Sequence, residues 1–309
     1  MSEAKMSGVS DASGATGVRE GPGNPRRPGR HGNTGNTGGG ENTENTSTER
    51  RRPELLREVS AEWVRQSSLR STWWAVAAAL AGMVVFAALM GYTEWTRIME
   101  NPDEADPGAF LRLTSQGHFY LVQFAVLVVA ALSATGEFGN RSVTSTLLWR
   151  PDRGTVLVAR TLVTAALAFA VGVLTTLAGV AVLTGFVGRY ASVDVPLTLG
   201  TALGAGACMA LFAVLFVGVG TALRSMPGTF TLGFVLLLGL PMVMQLSQAQ
   251  VINDLAALMP GLAGIEFYAG GDVGFYTAPH DGFVNVVVVA GWALAAQIVA
   301  HTELRVRDV

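Results

Sequence analysis

Long apolar runs alternate with short polar segments along most of the chain. A helix needs about 20 apolar residues to cross a bilayer. Six runs are close to this length or longer, and they cover residues 73–92, 118–136, 156–186, 197–222, 228–247 and 282–301. The pattern therefore predicts an all-α integral membrane protein with six transmembrane helices.

The first 53 residues have a different character from the rest of the chain. They are rich in Gly, Asn, Thr, Pro, Arg and Glu and hold almost no large apolar side chains. Such a segment cannot bury enough apolar surface to offset the entropy lost on ordering. We expect residues 1–53 to be a disordered tail. No apolar stretch follows the start, so we do not expect a signal peptide.

Residues 54–72 combine apolar and polar positions in a helical pattern. At 100° per residue, five apolar side chains fall within an arc of about 140°: Leu55, Leu56, Val59, Trp63 and Leu69. Glu62 and Arg70 interrupt that arc, so the amphipathicity is moderate. Direct continuity with the first apolar run favours an interfacial helix over an ordinary cytoplasmic one. We expect residues 73–309 to form the six-span transmembrane domain.

Composition narrows the function classes. Charged residues make up 14% of the chain, against about 25% in soluble proteins. Lys5 is the single lysine, so there is no P-loop, which requires a lysine after its glycines. The chain also holds no catalytic motif or cofactor pattern, and we expect neither an enzyme nor a bound cofactor. Cys208 lies in an apolar run and is expected to be a packing residue.

The basic residues predict the orientation. Once the spans are numbered, 18 of the 21 basic residues lie on one side and 3 on the other. Six spans place both termini on the same side, and the positive-inside rule assigns that side to the cytoplasm. We therefore expect a multi-pass protein of the cell membrane with both termini cytoplasmic.

The predicted spans hold no Asp, Glu, Lys or His near their middle. His118, His280 and His301 fall at or near the predicted span ends, where interfacial or loop positions are expected. An ion-coupled carrier normally places ionisable groups or broken helices at mid-membrane, so this reading is disfavoured. The internal polar residues are expected to join helices by hydrogen bonds: Gln123, Gln245, Asn285 and Gln297.

A pair of glycines in the fourth span suggests close helix packing. Gly200 and Gly204, in the fourth span, lie four residues apart, a spacing that lets another helix approach closely. Both intrachain packing and a homodimer contact fit this pair.

Between the fifth and sixth spans, the apolar stretch 255–267 is broken by Pro260 and Gly261. We interpret it as a short re-entrant or interfacial helix pair.

The polar segment after Gly136 is longer than a simple turn between spans requires. Asn140 is suited to cap a short helix over residues 141–149, and Pro151 ends it. Val143, Leu147 and Leu148 would then form an apolar surface beside flanking arginines. We interpret this loop as a docking element at the membrane face.

This loop resembles the intracellular loop of type-2 ABC transporter permeases. The resemblance rests on Glu137-Phe, Arg141-Ser-Val, Thr146-Leu-Leu, Pro151-Asp-Arg and the later Leu157 and Arg160. Glu62-Trp63 with residues 69–74, and the ending at residues 305–309, also look like actinobacterial members. Many members have Gly in place of Arg141 and Lys in place of Arg160. The similarity covers about residues 60–309.

The resemblance implies an exporter subunit that forms the translocation path. It implies a homodimer or a pair of related permeases, with separate subunits that bind ATP, and contact with membrane lipid but not with nucleic acid. The loop would be a cytoplasmic coupling helix whose docking residues are Glu137, Arg141, Val143, Leu147, Leu148, Pro151 and Arg153. The alternatives are a membrane anchor or scaffold that uses the loop to recruit a partner and, less favoured, an ion-coupled carrier.

Overall fold

A computed structural model describes residues 54–101, 108–139, 153–188, 193–247, 249–269 and 282–306. Every regular element within these ranges is a helix. The tail over residues 1–53 and most of the predicted docking loop lie outside them.

The described helices follow one another as expected for a membrane bundle. They are α1 Glu54–Ser68, α2 Arg70–Glu100, α3 Ala109–Gly117, a π turn His118–Val122, α4 Gln123–Gly139, α5 Arg153–Val187, α6 Val195–Leu223, α7 Met226–Phe234, a second π turn Val235–Gly239, α8 Leu240–Gln245, α9 Gln250–Ala257, α10 Pro260–Ala269 and α11 Gly282–Val306.

The described residues contain six helices long and apolar enough to span a membrane. They are Arg70–Glu100, Phe110–Gly136, Gly154–Val187, Val195–Leu223, Met226–Gln245 and Gly282–Val306. The six-span prediction is confirmed, and the chain is a multi-pass all-α membrane protein. The second span begins at Phe110, eight residues before the predicted start.

Local chemistry explains the tight connection between the fourth and fifth spans. Arg224 adopts the left-handed conformation, with φ 51°, and ends α6. Ser225 then caps α7, because its side-chain oxygen accepts a hydrogen bond from the Gly228 N–H at 3.3 Å. Proline in the first turn of α7 suits the start of a helix. The chain therefore reverses direction within about two residues.

Glycines let the third and fourth spans approach closely at the centre of the bundle. A methyl group on Gly172 of α5 would lie 2.8 Å from Gly206 Cα and 2.9 Å from Ala205 O of α6. These are backbone atoms that cannot move aside cheaply. The bare backbone of Gly172 therefore fixes where α5 and α6 cross.

Helix α1 exposes apolar side chains and buries a carboxylate. It ends at Ser68, four residues before the predicted bound, and α2 starts at Arg70. Leu56, Trp63 and Val64 are exposed, while Glu62 is buried against the bundle. Exposed apolar side chains fit a helix lying in the membrane interface. Glu62, which interrupts the apolar arc, thus faces the bundle.

The predicted helix pair between the fifth and sixth spans is present as α9 and α10. Helix α10 lies inside the bundle, with Leu262 and Ala263 fully buried. A methyl group on Gly264 would lie 3.1 Å from the sulfur of Cys208 in α6, so the two helices are in close contact. Cys208 is a buried core residue, as predicted.

Replacing Gly172 by alanine should destabilise the bundle, because the added methyl group would push against the α6 backbone. Overpacking of this kind costs about 1–3 kcal/mol. Gly185 lies on the same helix with open space around its Cα, so Gly185→Ala should be neutral or stabilise by up to about 1 kcal/mol. Unfolding of both variants in detergent, followed by tryptophan fluorescence, measures the difference. Equal stabilities of the two variants would contradict the proposed crossing point.

Candidate functional site

The predicted docking residues lie at the edge of the described structure or beyond it. Arg141, Val143, Leu147, Leu148 and Pro151 fall outside the described residues. Glu137 lies in the last turn of α4 and Arg153 begins α5, but their side chains are not described. The docking prediction therefore stays a prediction, and the structure describes the two span ends between which the loop is inserted.

Helix α1 lies against the ends of the second and third spans through buried polar side chains. Glu62 and Gln66 are four residues apart, so they lie on the same face of α1. Both are buried, as are Ser133 of α4 and Thr164 and Arg160 of α5. We call these five residues, together with Arg65, the anchor cluster.

The carboxylate of Glu62 is the charged centre of the anchor cluster. It accepts a hydrogen bond from Arg65 Nε at 2.8 Å and another from Arg65 Nη2. Arg160 Nε lies 3.7 Å from Glu62 Oε1, an ion pair in which both side chains are less than 10% exposed. A buried carboxylate needs charged and hydrogen-bonding partners of this kind.

Gln66 extends the anchor cluster from α1 into both spans. Its amide nitrogen lies 3.0 Å from Glu62 Oε1, 2.9 Å from Ser133 Oγ and 2.8 Å from Thr164 Oγ1. The two hydroxyls are 3.0 Å apart and hydrogen-bond to each other. One side chain of α1 therefore binds to α4 and α5 at once.

The charges around Glu62 determine its ionisation. Burial by itself would raise the pKa of the carboxyl group. The hydrogen bonds from Arg65 and Gln66 and the positive charges of Arg65 and Arg160 outweigh burial, so the pKa lies below its ordinary value. Glu62 is consequently ionised at neutral pH, and its negative charge holds the two arginines.

In the sequence, Glu62 interrupts the apolar arc of residues 54–72 and belongs to a segment that resembles the start of type-2 permeases, but neither feature predicts its buried partners. Its partners are far away in the sequence: Ser133 is 67 residues and Thr164 is 98 residues from Gln66. A single chain carries no pattern that pairs such distant positions. The sequence offers only a polar i, i+4 pair, Glu62 and Gln66, in a segment of mixed polar and apolar residues.

His118 does not lie at a span end, and that expectation is wrong. The second span begins at Phe110, so His118 lies within it, and its side chain is fully buried. It contacts the backbone of Gly172, which is about 20–30 Å from either end of α5 at 1.5 Å per residue. An ionisable side chain therefore lies near the middle of the bundle, contrary to the prediction that the spans hold none there.

The ring of His118 has hydrogen-bond partners for either protonation state. Nδ1 donates to Thr114 O at 2.9 Å, because a carbonyl oxygen can only accept. Nε2 lies 2.9 Å from Thr175 Oγ1 and 3.3 Å from Gly172 O. The neutral ring accepts from the threonine hydroxyl, and the protonated ring donates to it or to the carbonyl. Nε2 therefore has a hydrogen-bond partner in either state.

A π turn and an aromatic ring adjoin this histidine. His118 begins the π turn His118–Val122, and such turns occur frequently at functional sites. The ring of Tyr268, from α10, meets it edge-on with centroids 5.8 Å apart. The inserted helix α10 therefore contacts the irregular part of the second span.

Of the four internal polar residues predicted to join helices by hydrogen bonds, two do so. Asn285 Nδ2 donates to Glu266 Oε2 at 2.7 Å, and Gln297 Nε2 donates to Val214 O at 2.7 Å, so both join helices as predicted. Gln123 instead donates to Phe119 O within its own span, so its predicted role is wrong. Gln245 Nε2 makes no hydrogen bond within the described ranges.

The two glycines of the fourth span differ in environment. A methyl group on Gly204 would lie 2.8 Å from Tyr268 Cβ, so this position packs against α10 of the same chain. Gly200 has open space around it. The dimer contact stays a prediction for this pair.

Comparison with known proteins does not assign the chain to a family. No protein-family model matches the chain, and no curated protein matches its sequence. In the part of the chain that the structure describes, no three His, Cys, Asp or Glu side chains are grouped so that they could hold a metal ion.

Glu62→Gln should lower the free energy of unfolding by about 3 kcal/mol at pH 7, the scale for breaking a buried ion pair. The pKa of Glu62 is lower in the folded protein than its ordinary value of 4.5. Its stabilisation is therefore fully present above pH 4.5 and is lost as the pH falls through the folded-state pKa. Unfolding of both proteins between pH 7 and pH 3 should show the difference decrease as the pH falls.

The exposed Glu100, at the end of α2, provides the matched control. Glu100→Gln should change the free energy of unfolding little at any of these pH values. A Glu62→Gln variant that is as stable as the native chain at pH 7 would show that the anchor cluster does not stabilise the bundle.

Proposed function

We propose that this chain is the membrane-spanning permease subunit of an ABC transporter, and that it exports its substrate. The observation that carries the proposal is the anchor cluster, which joins α1 to the ends of the two spans that flank the predicted docking loop. Ser133 of α4 and Thr164 of α5 both bind Gln66 of α1. A coupling loop needs a rigid base of this kind in order to move its spans.

The anchor cluster suggests how the movement of a partner is transmitted. A subunit that binds the loop exerts force on the end of α4 and the start of α5. Because Glu62 pairs with Arg160 and Gln66 binds both spans, these ends and α1 shift as one body. If α1 and these span ends have two arrangements, a ligand that favours one arrangement increases its population. In the proposal, ATP binding to the partner subunit favours one of the two arrangements.

The energy source in this proposal is a separate subunit. Lys5 is the single lysine of the chain, and a P-loop requires a lysine. We therefore assign ATP binding and hydrolysis to a partner ATPase, two copies of which would serve a permease dimer. The direction of transport and the dimer follow from the resemblance of the loop and the chain ends to type-2 permeases.

The arrangement of the chain ends agrees with a common docking face. Leu55 of α1, Gly154 of α5 and His301 of α11 line one groove. The N-terminal helix, the end of the docking loop and the C-terminal helix end therefore lie on the same side of the bundle. The positive-inside rule favours the cytoplasm for this side.

Leu147→Arg should remove the partner from the complex. In the proposal Leu147 lies in an apolar contact with the ATPase, and an unpaired charge buried there weakens association about tenfold or more. The test is co-purification of the chain with a P-loop ATPase encoded in the neighbouring reading frame.

Leu246→Arg provides the matched control, since Leu246 is strongly exposed after the fifth span, away from the loop. This variant should retain the ATPase. Undiminished association of the Leu147→Arg variant would contradict the docking role of the loop.

A proton-coupled carrier is the second candidate, because His118 lies buried at mid-bundle with partners for both protonation states. Vesicles holding this chain alone, with an imposed proton gradient and rhodamine 6G as a lipophilic probe, separate the two functions. The permease proposal predicts no accumulation of the probe in the absence of an ATPase. Accumulation that is lost in His118→Gln would favour the carrier instead.

A further inference from the structure

A lateral groove opens between three helix ends on the side of the bundle where α5 begins and α11 ends. Its volume is about 690 Å³, and Leu55, Leu157, Val158, Ile298, His301 and Thr302 are among its lining residues. Sites that hold one small molecule span about 300–1,000 Å³. The groove is therefore large enough for one extended molecule.

The groove has an apolar half that faces the membrane interior. Leu157 is buried at its floor, while Val158 and Ile298 are half-exposed at its sides. The same sides continue toward the membrane interior as the exposed Leu162 and Leu294. An apolar chain that enters the groove along these residues stays in contact with hydrocarbon over its whole length.

The other half of the groove is polar and basic. His301 and Thr302 line it in the last turns of α11. At 100° per residue, Arg305 lies within about 10° of the middle of the stripe that α11 presents to the groove. Glu303 lies about 170° from the middle of that stripe. Arg305 is exposed, so its charge is available at the mouth of the groove.

Gln297 fixes the groove wall in place. Its side chain donates to Val214 O of α6 at 2.7 Å, which ties α11 to the fourth span at the level of the groove. The groove is thus bounded by helices that are fixed to the bundle.

We propose that this groove binds one anionic phospholipid of the surrounding membrane. One acyl chain lies against Val158 and Ile298, and the phosphate is held by His301 and Arg305 at the mouth. Basic pockets between helix ends at the membrane face suit such headgroups. The proposal requires no transport activity.

Native mass spectrometry of the full chain in detergent, titrated with phosphatidylglycerol or phosphatidylcholine, tests the proposal. Phosphatidylglycerol should bind at least about fivefold more tightly, the effect of one arginine near an anionic headgroup. Arg305→Gln should remove this preference. Arg70→Gln removes an exposed arginine that does not line the groove and should leave the preference intact.

A second pair of variants tests the apolar half. Ile298→Trp should fill the groove and weaken the binding of both lipids. Val299→Trp places the same side chain on an exposed position of α11 outside the groove lining and should bind lipid like the native chain.

Three results would overturn the proposal. Equal affinity of the native chain for the two lipids would exclude headgroup recognition by this site. Tighter lipid binding after deletion of residues 1–53 would identify the chain's own tail as the occupant. Conversion of a dimer to a monomer by Ile298→Trp, with no change in lipid binding, would identify a second copy.

Discussion

A carboxylate in a membrane protein must keep its charge partners, because burying an unpaired charge in a medium of low dielectric costs several kcal/mol. Glu62 shows this constraint most clearly. Its side chain is turned away from the exposed apolar face of α1 and meets Arg65 and Arg160. The carboxylate therefore decides which face of α1 contacts the bundle, and the apolar residues are left for the lipid. The same contact fixes the start of α5 relative to α1, and so the base of the loop on which the proposed function depends.

A second constraint operates at the centre of the bundle, where helices associate without a hydrophobic driving force. Packing and hydrogen bonds replace it in lipid. Gly172 and Gly206 let α5 and α6 touch through their backbones. The carbonyl of Gly172 then also faces His118 Nε2. The close contact of α5 and α6 therefore lies beside the buried His118. Helix α10 contacts both features, because Tyr268 meets the ring of His118 and packs on Gly204 of α6.

Local patterns were sufficient to predict the six spans, since the hydropathy of about 20 consecutive residues decides membrane insertion. The start of the second span was missed for a physical reason. Arg112, Thr114 and Ser115 lower the hydropathy of α3, yet Thr114 and Ser115 are fully or almost fully buried in the bundle. Tertiary packing overrides the local signal there, and the error moved His118 from mid-span to a span end.

The anchor cluster was beyond prediction for a different reason. In the sequence, Arg160 belongs to the loop motif and Glu62 interrupts an apolar arc, but no pattern pairs the two residues. The docking surface at Val143 and Leu147 is a local pattern, and it remains a prediction because these residues lie outside the described structure.

The central claim is that Glu62 and Arg160 act on each other, and so join α1 to the third span. A double-mutant cycle measures this directly, with unfolding free energies of the native chain, Glu62→Gln, Arg160→Gln and the double variant in one detergent. The account predicts non-additivity, with an interaction energy of about 1 kcal/mol or more, as for residues in one ion-pair network. Additivity within about 0.3 kcal/mol would show that the two residues are energetically independent, and would contradict the account.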